Sequence, residues 1–409
     1  MIVRPYRSET DRDDALRVFR EVGWIGDAKH EAAADEVFAS GRTLVAELGS
    51  SVECMATSTP GTLRHLADGL PLSGITSVTT SRVARKRGLA GALTARVLAE
   101  EAREGRAVAV LGVFEQGYYN QLGFGNGSYE HWCTFDPARL LVSQEPRLPI
   151  RLGPDDWAEM HENRVRRLAA HGACSLDAPG LTRADVIWSD QGFGLGYRDA
   201  DGRLTHHLWC SAKEAEHGPY TILWTAYRTK AEFLELFALV KSLGDQVRSI
   251  KMSEPPGIQL QDLIEQPYKA RQITERSPHE ARLTGSPYWQ ARILDLDACL
   301  ARTHLESGPL RFNLRLSDPI ERFLDADAPW RGIGGEYVVM LGRDSDCEPG
   351  VARDLPTLDA SINAFTRLWL GVRPASGLAW TDELDGPAEL LANLDRVVRL
   401  PVPHPDWMF

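Results

Sequence analysis

Four of the six residues from Arg82 to Arg87 are basic, in a chain whose formal net charge is −11. They run into Gly88-Leu-Ala-Gly91, where a helix is expected to open. A helix start leaves its first-turn N–H groups unpaired, and its dipole favours anions. Gly88 has no Cβ to obstruct an approaching pyrophosphate, and Arg85, Lys86 and Arg87 add positive charge around it. The chemistry is the binding of a polyanion with several phosphates. No Gly-x-x-x-x-Gly-Lys-Ser/Thr and no Rossmann fingerprint occurs, so the loop is neither of those nucleotide sites. Taken alone, the same residues also suit a solvated basic turn before an amphipathic helix. The β-branched stretch Ile75–Thr80 just upstream favours the strand, turn and helix of a phosphate site. A second feature stands at the other end. Apolar Trp407, Met408 and Phe409 follow Pro401, Pro403 and Pro405, so the tail is extended and its apolar residues should dock rather than stay in water. Nine residues from Pro401 reach roughly 30 Å.

The elements that would position these residues follow from pattern. Ile2–Tyr6 reads as a strand and Asp11–Val22 as a helix with Leu16, Phe19 and Val22 on one face. Thr43–Leu48, Val52–Ser58 and Gly74–Ser81 read as strands. A helix opens near Gly88 with Leu89, Leu93 and Val97 four apart. Ala107–Phe114 is an apolar strand, Gln116–Leu122 a turn or short helix, and His131–Phe135 a strand closing this first unit. Pro146 and Pro149 mark a boundary. Beyond it come a helix near Asp155–Ala170, a hairpin turning at Asp199–Gly202, the strand Tyr220–Ala226, the helix Ala231–Leu243 ended by Gly244 and the strand Val247–Met252. The order repeats that of the first unit, although the residues do not. A third unit holds the strand Trp289–Leu294, a helix Leu296–Leu305 capped by Asp295, strands Arg311–Leu316 and Tyr337–Leu341, a helix Leu358–Leu370 stopped by Gly371, and a helix Ala388–Leu400.

The 409 residues suffice for two or three domains. Composition is that of a soluble protein, 43% hydrophobic and 25% charged. No run approaches the roughly 18 apolar residues of a membrane span, and the polar N-terminus is unlike a signal peptide. A cytoplasmic location is expected, with no membrane partner. The scattered cysteines, without Cys-x-x-Cys, read as reduced thiols rather than disulfides or zinc ligands. The acidic balance argues against nucleic acid. His206-His207 has no companion at ligand spacing, and no metal site is expected. Asp199-x-Asp201-Gly202 lacks the closing Glu of a calcium loop and reads as a turn. Gly192-x-Gly194-x-Gly196 reads as close backbone packing on a strand.

Val78-Thr-Thr-Ser81 followed by Arg85-Lys-Arg-Gly88-Leu-Ala90 resembles the acetyl-CoA motif of the GNAT acetyltransferase superfamily. In particular it is similar to that of the Eis (enhanced intracellular survival) N-acetyltransferases. Thr80 replaces a usual Val, Arg82 a usual Pro, and Ala90 a frequent Gly. Glu115-Gln-Gly-Tyr-Tyr119-Asn-Gln-Leu-Gly-Phe-Gly125 is similar to a second block of the same family, and a terminal Phe to a third. The resemblance implies an α/β (α+β) chain of two tandem GNAT-type domains followed by a sterol-carrier-like α/β domain, over residues 1–142, 143–285 and 286–409.

The resemblance also implies acetyl-CoA as cosubstrate, without a metal, and direct transfer to a primary amine in a ternary complex. Val78, Thr79 and Thr80 would meet the cofactor along the strand. Arg85, Lys86, Arg87, Gly88, Leu89, Ala90 and Gly91 would hold its phosphates, with Phe114 and Glu115 on the other side. Tyr119 falls on the family's general acid, which protonates the departing thiolate, and the Phe409 carboxylate on its base. Assembly as a homohexamer and a small polyamine-like acceptor, such as an aminoglycoside, are implied too, with Trp24, Asp27 and Glu31 beside the acceptor. The rival readings are a protein-lysine or polyamine acetyltransferase and a non-catalytic acetyl-CoA sensor.

Overall fold

The structure, a computed structural model, describes residues 2–267 and 274–409. The fold is mixed α/β, and its contacts gather it into two compact units. One holds the chain up to Ser128, Ala170–Ala178 and Pro287–Phe409; the other holds Tyr129–Ala169 and Pro179–Ser286. No helix among the described residues is long and apolar enough to cross a membrane.

The first unit is built on an eight-stranded sheet. Its leading elements are β1 (Ile2–Pro5), α1 (Ser8–Glu21), α2 (Ala28–Ala39), β2 (Arg42–Leu48), β3 (Ser51–His65), β4 (Asp68–Thr80), α3 (Leu89–Arg103) and β5 (Val108–Gly112). Strands β1 to β4 pair antiparallel, and α3 carries the chain over to β5, which runs parallel to β4. Leu93, Val97 and Leu98 of α3 bury against Ile75 and Leu111 of the sheet. Asp27 caps α2 by accepting from His30 N, a helix the apolar pattern had not signalled.

Two strands depart from the sequence reading. Trp289–Ile293, expected to open a third unit, instead pairs antiparallel with β5 and extends the first sheet. Glu130–Phe135, expected to end the first unit, belongs to the second unit's sheet, between Ile250–Ser253 and Arg282–Ser286. Alternation tells which face of a strand is apolar and says nothing about its neighbours. Every residue of Trp289–Ile293 is buried, as a strand with a partner on each side and cover on both faces requires. A third departure is Leu358–Leu370. Thr357–Ser361 is a strand, and Ser361 caps the helix Ile362–Trp369 by accepting from Ala364 N. The strand belongs to a separate five-stranded sheet, and strand and helix both lie within the first unit.

The second unit repeats the strand plan. The hairpin Gly192–Arg198 and Leu204–Ser211 leads to Tyr220–Ala226, then the helix Lys230–Ser242, then Ile250–Ser253 parallel to Tyr220–Ala226. The glycines of the hairpin do clear space. A Cβ on Gly194 would lie 2.8 Å from Leu152 Cβ and 2.9 Å from the Trp209 ring. None of the six cysteines is in a disulfide.

A buried imidazole joins parts of the first unit. His65, at the end of β3, stacks on Trp369 at 4.4 Å, and its Nε2 lies 3.2 Å from Thr303 Oγ1. Burial, reinforced by His171 and His304, pushes His65 down from its ordinary 6.5 to about 3. His207 of the second unit, buried beside Arg164, is also pushed to about 3. Both stay neutral in the fold while the unfolded chain takes up protons below about pH 6.5, so they stabilise fully above that value. Thermal unfolding midpoints should fall as pH drops from about 6.5 toward 3. His65→Phe, which can stack but not charge, should show a shallower fall. An equal slope in that variant would remove His65 as a contributor.

Candidate functional site

The geometry of the site begins with a parting of two parallel strands. β4 and β5 pair from Leu72↔Val108 to Ile75↔Leu111 and no further. β4 continues to Thr80 against β3, with a register shift opposite Met55–Thr57, and Ser77 takes φ +56°. The extra residue is a β-bulge, which bends a strand and increases its twist. Among the described residues no strand pairs with Thr76–Thr80 on the β5 side. The backbone groups of Val78, Thr79 and Thr80 on that edge are thereby available to a ligand that lies between the strands. Thr79 is buried, and the Thr80 hydroxyl donates to Cys54 Sγ at 3.2 Å.

The turn after β4 is fixed at its base and open at its tip. Ser81 N donates to Glu53 O at 2.8 Å and Arg82 N to Glu21 Oε2 at 2.6 Å. That second bond, opposed by burial and aided by Arg17, holds the Glu21 carboxyl below its usual range. Lys86 takes φ +61° and Gly88 φ +77°. Gly88 is the N-cap of α3, no side chain caps the helix, and no acidic residue stands in its first turn. Open space surrounds the position a Gly88 Cβ would take. Arg85, Lys86 and Arg87 are exposed, and none forms an ion pair among the described residues. Leu89 turns inward to the core and Ala90 packs beside it, so they can offer a ligand only backbone. Gly91 is buried where a Cβ would lie 3.2 Å from the Phe323 ring and 3.7 Å from Tyr118 Oη. The equivalent helix of the second unit is closed. Thr229 caps it by accepting from Glu232 N at 3.2 Å, and the Glu232 carboxylate turns back to accept from Arg228 N at 2.6 Å, so a side-chain cap and an acidic group occupy the helix start.

Tyr119 opens a short turn, Tyr119–Leu122, and is 8% exposed. It shares a hydrophobic cluster with Val78, Leu89 and Ala90, so the structure brings the motif residues and this tyrosine together. Burial, with Tyr118 and Glu115 adding, pushes its phenol well above the ordinary range. It therefore stays protonated, as a proton donor must. Tyr118 is pushed up to about 12, chiefly by burial. Glu115 is exposed and acts on both phenols by its charge. Phe114 is 82% exposed, and its ring meets Trp24 edge-on at 6.4 Å. Asp27 is committed to capping α2, and Glu31 to Arg20 and Arg12.

The tail reaches this place. Pro403, Pro405 and Trp407 are buried between half-buried neighbours, and Asp406 turns the backbone at φ +47°. Ser128 Oγ donates to Pro403 O, His404 N to His171 O, and Cys174 N to Pro405 O. Phe409 ends at Gly112, the last residue of β5, where a Cβ would lie 3.0 Å from Phe409 O. Tyr288 clamps it there. Its hydroxyl accepts from Phe409 N at 2.7 Å and donates to Phe409 O at 3.0 Å. Gly112 and Tyr288 were not singled out from the sequence; the only signal was a glycine ending an apolar strand.

Residues 3–127 match the acetyltransferase (GNAT) domain family. Two relatives from Streptomyces avermitilis are uncharacterised N-acetyltransferases. One is 28% identical over 342 residues, covering 76% of this chain and 74% of the relative. The other is 29% identical over 286 residues, covering 67% and 62%. In fold, the whole chain is similar to a conserved protein of unknown function from Enterococcus faecalis, with TM-score 0.80, 19% identity and coverage of 100% and 99%. It is also similar to a GCN5-related N-acetyltransferase from Kribbella flavida, with TM-score 0.76, 20% identity and coverage of 100% and 98%. Eis1 from Mycobacterium abscessus gives TM-score 0.77 at 16% identity, with both chains fully covered at 100%. The protein is an acyltransferase that carries a GNAT domain.

Tyr288→Phe should release the end of the tail. Two lost hydrogen bonds are worth about 1 kcal/mol each. By hydrogen exchange with mass spectrometry, the C-terminal peptide should lose protection roughly tenfold or more, while peptides of the second unit keep theirs.

Proposed function

We propose that the protein is an acetyl-CoA-dependent N-acetyltransferase of the Eis type, acting on primary amines of a small polyamine-like substrate such as an aminoglycoside. The observation that carries this reading is the parting of β4 and β5 beyond Ile75 and Leu111, with the uncapped start of α3 behind it. An extended pantetheine arm suits the unpaired edge of β4, and a pyrophosphate suits the first turn of α3 under Arg85, Lys86 and Arg87. Acetyl-CoA, when bound, supplies the thioester from which the amine takes its acetyl group.

The chain's own residues supply the rest. Backbone N–H groups at Val78–Thr80 stabilise negative charge on the thioester oxygen. The Phe409 carboxylate takes the proton that the amine must lose. Tyr119 Oη gives its proton to the sulfur as the C–S bond breaks, and Phe114 and Glu115 line the cofactor's other side. The second unit's closed helix start favours one cofactor per chain. We further read the chain as GNAT-type domains over 1–142 and 143–285 and a sterol-carrier-like domain over 286–409, with Glu130–Phe135 lent to the sheet of the second domain and Trp289–Ile293 to that of the first, assembled as a homohexamer in the cytoplasm.

Thiol release from acetyl-CoA, measured with kanamycin, spermidine and a lysine peptide as acceptors, tests the reading. Turnover with kanamycin supports it, and turnover with no amine would favour an acetyl-CoA sensor. Tyr119→Phe should lower kcat about a hundredfold or more with little change in acetyl-CoA affinity; full turnover in this variant would remove Tyr119 as the acid. Adding residues after Phe409 should cripple turnover, and a fully active extended enzyme would end the carboxylate-base assignment.

A further inference from the structure

The turn that carries Tyr119 is four residues long, too short to hold its own geometry by helical hydrogen bonding. Phe124 N donates to Tyr119 O at 3.2 Å and Gly123 N to Asn120 O at 3.0 Å, and further donors reach the turn from outside. Asn120 O accepts from Asn363 Nδ2 at 2.8 Å, Gln121 O from Arg322 Nη2 at 3.1 Å, and Leu122 O from Arg292 Nη1. Phe124 O accepts from the same Asn363 Nδ2 at 2.8 Å and from Asn120 Nδ2 at 2.9 Å. All three outside donors lie in the last third of the sequence, and all belong to the first unit.

Asn363 ties two places from outside with one amide, the residue after Tyr119 and the residue on which its ring rests. Phe124 is fully buried and meets the Tyr119 ring edge-on at 6.1 Å. The amide is itself fixed, because Asn363 lies in the first turn of the helix capped by Ser361. The chain makes room for this helix. A Cβ on Gly125 would lie 2.4 Å from Asn363 O and 2.8 Å from Arg367 Cγ. We propose that Asn363 is a positioning residue for Tyr119, aiming the phenol by clamping Asn120 and Phe124 together. The role rests on the reading of Tyr119 as the acid. An aspartate in its place would set a carboxylate against two carbonyl oxygens, and an alanine would leave both without this donor.

The test is a double-mutant cycle with the acceptor of the panel that gives the fastest thiol release. Asn363→Ala should lower kcat tenfold or more while KM for acetyl-CoA stays within about twofold. In a Tyr119→Phe background it should cost nothing further, since a group that acts only through the phenol has nothing left to aim. Equal losses in both backgrounds, or unchanged kcat in the single variant, would overturn the proposal. Full turnover in Tyr119→Phe alone would instead overturn the acid assignment on which it stands. If Asn363→Ala no longer binds acetyl-CoA, Asn363→Ser, with one short donor, is read by the same cycle.

Discussion

A single buried ion pair underlies the arrangement of the first unit. Arg292 is fully buried in the strand Trp289–Ile293, and its guanidinium meets Asp318 at 2.7 Å. The same group donates to Leu122 O and lies 5.1 Å from the Trp330 ring. Asp318 in turn accepts from Ile320 N and Ile333 N. One charge thus ties the first sheet, the tyrosine turn and the loop between Leu310–Ser317 and Gly335–Leu341 of the five-stranded sheet. Removing one partner of such a pair costs roughly 3–5 kcal/mol, because the other charge stays buried alone. The pair therefore acts more as a condition for this geometry than as a source of net stability.

The run Gly123-Phe-Gly-Asn-Gly127 records the same dependence. A Cβ on Gly123 would lie 2.7 Å from Arg292 Nη1, one on Gly125 2.4 Å from Asn363 O, and one on Gly127 2.2 Å from the Trp289 ring. Each alternate position is bare because a residue from far along the chain stands against it. Only Gly123, at φ +86°, also needs glycine for its backbone angle.

What the sequence made legible was local. The basic turn, Gly88 and the helix behind it, the hairpin turning at Asp199–Gly202 and the stop at Gly371 all follow from neighbouring residues, and the structure has them. The tail's docking was also readable, since apolar residues after three prolines have few other fates. The long-range choices were hidden. Trp289–Ile293 reads as a strand in any sheet, and nothing in its pattern names β5 as the partner. Leu358–Leu370 reads as one apolar helix because Leu358 stands four residues before Ile362 and seven before Phe365, the spacing of a helical stripe, although it is buried on a strand. Asn363 and Tyr288 are single polar groups whose roles depend on what the fold brings opposite them.

The place of Trp289–Ile293 in the first sheet has a consequence for the time at which the molecule can take shape. A ribosome adds roughly 5–20 residues each second. The strand that covers β5 therefore leaves the exit tunnel on the order of ten seconds or more after β5 does. Through that interval the nascent N-terminal segment has an uncovered parallel edge at Val108–Gly112, the kind of surface that invites wrong pairing or a chaperone. Maturation of the acyltransferase is in this sense a late event of synthesis.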